Sequence, residues 1–182
     1  VTGGAPEALD AVGNLAEEVE NYLVDLERGT ILARLPSSQA WRLPSGEGGN
    51  HLDLRVVWSA DGAWALAVFS RRWGFESAVV YRLADGEVRG PLAVGGLVEN
   101  AYREHLGRAF GDRYRRRSDR LVVSFGTLEA GADGAFLLEA YAEIPKSVAD
   151  DDAFAEGVVR LSLGVGRSGA PRLESVGVVG EK

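Results

Sequence analysis

The feature that most constrains this chain is the stretch from Leu52 to Val68. Leu52, Leu54, Val56 and Trp58 occupy every second position, Ser59-Ala60-Asp61-Gly62 interrupts them, and Trp64, Leu66 and Val68 resume the alternation. A period of two sends successive side chains to opposite faces of a strand, so the pattern predicts two strands, each with an apolar face. Asp-Gly between them predicts a tight antiparallel hairpin, because glycine takes the positive φ that such a turn requires.

The same signature recurs on both sides. Tyr22, Val24 and Leu26 alternate, Glu27-Arg28-Gly29 turns the chain, and Ile31, Ala33 and Leu35 return as a second strand. Residues 36–50, with Pro36, Pro44 and three glycines, read as a loop. After the central hairpin, residues 70–76 read as another loop. Val79, Tyr81 and Leu83 then form a strand, and Ala84-Asp85-Gly86 turns it into one that carries Val88 and ends near Pro91-Leu92. The whole of 51–92 is thus expected to be an antiparallel meander. Later strands are expected at 121–127 and 135–144, joined through Gly131–Gly134, and at 158–165 and 173–179, joined through Ser168–Pro171. Ala-Asp-Gly marks three of these turns, at 60–62, 84–86 and 132–134. The segments between them do not align, so the recurrence reflects common turn chemistry more than a repeated unit.

Only 96–110 changes period. Leu97, Val98, Ala101, Tyr102, Leu106, Ala109 and Phe110 follow helical spacing, and Gly111 is placed to end the helix. The predicted class is mainly β, a β-rich α+β protein: antiparallel meander sheets, propeller-blade-like or packed as a sandwich, with one amphipathic helix near 96–110. Residues 1–18 read as a partly ordered lead-in and 19–182 as a single β-rich domain, long enough to bury a core unaided.

Composition excludes several function classes. A net charge of −7 argues against a general nucleic-acid binder, and no apolar run approaches a membrane-spanning helix. The absence of cysteine removes disulfides, thiolate metal sites and cysteine nucleophiles together. With no methionine, even at position 1, the chain reads as processed or trimmed, and a removed signal peptide would explain it. A periplasmic or secreted location is the expectation, with cytoplasmic as the alternative.

Val57-Trp58-Ser59-Ala60-Asp61-Gly62-Ala63-Trp64 resembles the Trp-Ser-x-Asp-Gly hairpin of TolB-type β-propeller repeats, with Ala60 where that family carries proline. Asp25–Leu32, read as strand, turn and strand, is similarly blade-like. A looser resemblance is to uncharacterised exported bacterial proteins in which such a hairpin precedes a basic residue-Trp-Gly loop, here Arg72-Trp73-Gly74. These resemblances imply a blade-like β architecture and export. They imply no enzyme activity.

No constellation demands a particular chemistry. His51 and His105 are the only histidines, without the paired spacing of a zinc site, and no Gly-x-Ser-x-Gly elbow exposes a serine. Asp150-Asp151-Asp152 with Glu156 lacks the alternation and central glycine of a calcium loop and reads as a solvated acidic loop. The glycine clusters at 46–49 and 164–166 lack the residues of a phosphate cradle. No cofactor or metal is implied. Two surface features stand out. Residues 103–120 carry seven arginines against three acids, and arginine forks suit carboxylates and phosphates. Trp73 sits beside Arg71 and Arg72 in an expected loop, and aromatic residues with arginines recur at binding hot spots. The candidate binding residues are therefore Arg71, Arg72, Trp73, Arg115, Arg116 and Arg117, set against solvated arginines and a tryptophan that caps the sheet. The reading is a non-catalytic binding module for a protein, anionic or carbohydrate partner. The alternative is a glycosidase-like hydrolase with a dispersed carboxylate site.

Overall fold

Each expected reversal falls at a residue able to make it. Gly62, Gly86 and Gly134, the glycines of the three Ala-Asp-Gly turns, have φ of 68°, 74° and 72°. Asp85, at φ 56°, precedes Gly86 in a two-residue turn with both centres left-handed, the geometry that matches strand twist. The computed structural model describes residues 20–35, 53–71, 74–115, 123–131, 134–144 and 153–181. The lead-in, the loop at 36–50, His51, Leu52 and Asp150–Asp152 lie outside them.

A short hairpin, β1 (Tyr22–Asp25) and β2 (Thr30–Arg34), comes first. The four-stranded meander β3 (Asp53–Trp58), β4 (Trp64–Arg71), β5 (Gly74–Ala84) and β6 (Glu87–Ala93) follows. Helix α1 (Gly95–Arg115) leads into a second meander of β7 (Val123–Ala130), β8 (Ala135–Ile144), β9 (Ala153–Val165) and β10 (Pro171–Glu181). The sheets are antiparallel, with strand orders β1-β2, β3-β4-β5-β6 and β10-β9-β8-β7. Among the described residues, the expected β-rich class with antiparallel sheets and one helix is what the chain adopts.

The differences have local causes. Residues 70–76 are not a loop: pairing continues through Ser70↔Phe75 and Arg71↔Gly74 after a register shift at Phe69/Ser70, so only Arg72 and Trp73 separate the strands. The last two strands run past their expected bounds: Ala153–Gly157 extend β9 by pairing with Ala140–Ile144 of β8, and β10 runs from Pro171 to Glu181 along β9. Gly111 does break the helix, with φ 68° and ψ −150°, though one more turn follows it. In the first hairpin the buried residue is Leu23, while Leu26 and Ile31 face solvent. A bulge between Leu23 and Val24 shifts the alternation there.

The two meanders face each other across the main core. From β4 and β5 come Trp64, Leu66, Val68 and Val80; from β8 and β9 come Phe136, Leu138, Val159 and Leu161. Val98, Tyr102 and Leu106 line one stripe of α1 and join the same core. The Tyr102 hydroxyl donates to the Ala155 carbonyl at 2.8 Å, so the buried phenol is satisfied. A second core lies on the opposite face of β4 and β5, where Ala65, Ala67, Phe69, Val79 and Tyr81 pack against Leu23 and Leu35 of the hairpin. Strand β4 is consequently buried from Trp64 to Phe69 without a break. Two arginines tie the meanders together. Arg55 of β3 donates to the Phe125 carbonyl at 2.6 Å and to that of Gly126, while Arg82 of β5 donates to the Gly169 carbonyl at 2.9 Å.

Candidate apolar groove

Above β3 the hairpin layer stops short. Strands β1 and β2 cover β4 and β5, and beside them a groove of about 340 Å³ opens. Its walls follow from strand geometry. Tyr22 and Leu23 are consecutive residues of β1 ahead of its bulge, and consecutive residues of a regular strand share only its edge. Leu54, Val56 and Trp58 alternate along β3, so they present a face. The groove therefore has the edge of β1 as one wall and the face of β3 as its floor. Asn21, Val24, Leu26 and Leu35 complete a lining that carries no formal charge.

Trp58 sets this region apart. The alternation gives both tryptophans of the central hairpin in-facing positions, as core residues or cross-strand partners. Trp64 is buried at 6% exposure, whereas Trp58 is 44% exposed. Both lie on the apolar face of their own strand, but those are opposite faces of the sheet: Trp58 pairs with Ala65, next to Trp64 in sequence. Trp64 packs against Gly134, with the Arg82 guanidinium 5.9 Å from its ring. Trp58 has the groove instead. Leu26, at 87% exposure, stands at the margin.

Polar groups near the groove are unevenly satisfied. The Tyr22 hydroxyl donates to Glu20, which also pairs with Arg34 at 2.5 Å. That bond to a carboxylate raises the phenol above its ordinary pKa. By contrast, Asn21 Nδ2 and the Tyr81 hydroxyl are buried and make no hydrogen bond. Burial pushes the Tyr81 phenol up as well. Native proteins leave few such groups unpaired, and both belong to the hairpin side of the first meander.

The adjacent turn is tightly built. Ser59 Oγ donates to Asp61 Oδ1 at 2.5 Å and accepts from the Trp64 N–H at 2.9 Å, and the Ala63 N–H donates to the same carboxylate oxygen at 3.0 Å. The Ser59 hydroxyl and that amide lower the pKa of Asp61. These bonds orient the chain reversal that sets Trp58 and Trp64 on opposite faces.

A second depression, about 300 Å³, lies on the outer face of the β7–β10 meander among Thr127, Glu129, Leu137, Glu139 and Val158. Glu139 is engaged there by the fold. Its Oε2 accepts the Thr127 N–H at 3.1 Å and the Tyr141 hydroxyl at 2.6 Å, where β7 bulges between Phe125 and Leu128. The Tyr141 ring lies over Gly126, where any side chain would collide with it. Among the described residues, no group of three or more His, Asp or Glu could hold a metal ion.

Of the residues singled out from sequence, Arg71 closes β4 and Arg115 closes α1. Arg72, Trp73, Arg116 and Arg117 lie outside the described residues. Within the basic stretch, Arg103 pairs with Glu99 at 2.6 Å. His105 stacks on Tyr102 with ring centroids 6.3 Å apart. Sequence reasoning missed the groove. The available signal was the hairpin's exposed apolar pair, Leu26 and Ile31, preceding a strand as apolar as β3. Neither the protein-family models nor the curated proteins compared with this chain give a match. No helix among the described residues is long and apolar enough to cross a membrane.

Proposed function

We propose that this protein is a non-catalytic binding module whose recognition surface is the groove between β1 and β3. One observation carries the reading: Trp58, a large aromatic, is 44% exposed over an uncharged floor that continues into the protein's own core. A half-exposed tryptophan flanked by aliphatic side chains is the composition of a binding hot spot. The partner is a protein segment rich in apolar side chains. The test is site-specific photo-crosslinking in the native host, with the cross-linker at Leu54 and, as control, at Glu129. A partner joined at Leu54, not at Glu129, and lost in Trp58→Asp supports the reading; equal labelling at both positions overturns it.

Two further elements belong to the proposal. The arginines at 71, 72 and 115–117 would add attraction for an anionic partner, seen as association that weakens with salt. Export, which the Trp-Ser-x-Asp-Gly resemblance implies, is tested by fractionating the native host. The hydrolase reading has Glu129 and Glu139 in its favour, two carboxylates in one depression. It ranks second because Glu139 already holds the β7 bulge. Loss of a glycosidase activity in Glu129→Gln would promote it.

A further inference from the structure

Resting on that reading, the geometry points to a specific mode of recognition: the groove takes one extended segment of a partner protein, added as a third strand to the free edge of β1. Three observations converge. Among the described residues β1 pairs with β2 alone, leaving a two-stranded sheet with an open side. The Leu35 N–H donates to the Asn21 carbonyl at 2.8 Å, which makes Asn21 and Leu35 a hydrogen-bonded pair. Antiparallel alternation then turns Leu23 toward β2 and directs the N–H and C=O of Tyr22 away from it. Because the edge of β1 lines the groove, those two groups point into the space a new strand would fill.

The floor specifies the occupant's side chains. Leu54, Val56 and Trp58 recur at every second residue, about 6.8 Å apart. A strand laid beside β1 presents alternate side chains at the same interval, so every second residue of the partner meets one of these three. The uncharged lining requires those inward residues to be apolar, and the outward ones face water and are polar. The groove also continues an interface the molecule already uses, since Leu23, Leu35, Leu54 and Val56 belong to the core by which the hairpin packs on β4 and β5. An added strand extends that layer over β3. This is β-strand addition, with main-chain bonds giving affinity and alternate pockets giving selectivity.

Amide exchange on the full chain, followed by NMR, tests the mode. The probe is the capped peptide Lys-Val-Thr-Val-Thr-Val-Lys at millimolar concentration, with Lys-Val-Thr-Pro-Thr-Val-Lys as control, since proline removes a strand donor. In the free protein the Tyr22 amide exchanges fast and that of Leu23, which faces β2, exchanges slowly. The probe slows Tyr22 about tenfold or more, as one added hydrogen bond does, and shifts the Trp58 indole resonance. The control peptide does neither, and Val56→Lys abolishes both effects. Tyr22 protected as well as Leu23 in the free protein overturns the inference, because the chain itself then fills the edge. A Trp58 shift without protection of Tyr22 also overturns it, while leaving the binding-module reading intact. No response at either residue overturns both.

Discussion

The two four-stranded meanders are alike in topology and unlike in burial. In β7–β10, Phe136, Leu138 and Ala140 of β8 point into the main core while Leu137, Glu139 and Tyr141 lie on the outer face. In β3–β6, six consecutive residues of β4 are buried because the main core takes one face and the hairpin the other. A sheet covered on both sides has no polar face to give up, and its strand reads as the unbroken apolar run Trp64-Ala65-Leu66-Ala67-Val68-Phe69. The small Ala65 and Ala67 on the hairpin side let β1 and β2 approach closely. Among the described residues the cover is incomplete over β3. Where the second layer ends, the groove begins.

The strongest way to break this comparison is to truncate neighbouring positions. Phe69→Ala should cost about 3–5 kcal/mol and Leu66→Ala about 2–5 kcal/mol, although their side chains point to opposite faces. In β9, Leu161→Ala should cost a similar amount, but its neighbours Arg160→Ala and Ser162→Ala should stay within about 0.5 kcal/mol of wild type. Urea unfolding measures all five. A cost under about 1 kcal/mol for Phe69→Ala would mean that the hairpin does not seal that face.

The hairpin turn that starts the doubly covered sheet offers a smaller effect. Gly62 has open space around a would-be Cβ, so Gly62→Val tests backbone strain alone. The expected loss is about 1–2 kcal/mol, and no change in unfolding midpoint would mean the turn has another geometry. On the singly covered sheet, Tyr141→Phe should cost about 1 kcal/mol by removing the hydroxyl bonded to Glu139. The Thr127 amide should exchange faster in Glu139→Ala, which loses that amide's acceptor.

The smallest effect is a pH dependence. Asp61 has a folded pKa below its ordinary 3.8, so the unfolded chain takes up the proton first as pH falls. Its contribution is complete above 3.8 and disappears as pH drops through the lower folded value. Ser59→Ala removes the largest cause of that shift, and NMR titration should show the Asp61 carboxyl moving back up. An unchanged midpoint would show that the hydroxyl does not hold the carboxylate.

Sequence disclosed the meanders because turn glycines and period-two alternation are local properties. It could not disclose which face of β4 meets which layer, since Trp64, Leu66 and Val68 look identical whether they face the hairpin or the second sheet. Trp58 is in-facing by alternation yet exposed, because alternation fixes the face of a strand and says nothing of what covers it. The helix is legible from Val98, Tyr102 and Leu106, which share one stripe, although Leu97, apolar and within the same periodic pattern, is 41% exposed. The groove depends on a hairpin docking across a long sequence separation, and the bulge beside Leu23, which no local pattern marks, goes with the burial of that residue in place of its alternating neighbours.

The central claim, that the hairpin layer leaves β3 uncovered, is tested most directly by the two tryptophans that flank one turn. Urea unfolding of Trp58→Ala and Trp64→Ala in the free protein compares an open position with a sealed one. The account predicts a loss of about 3–5 kcal/mol for Trp64→Ala and no more than about 1.5 kcal/mol for Trp58→Ala. Equal losses near the larger value would contradict it, since Trp58 would then lie in a filled core and there would be no groove to bind anything.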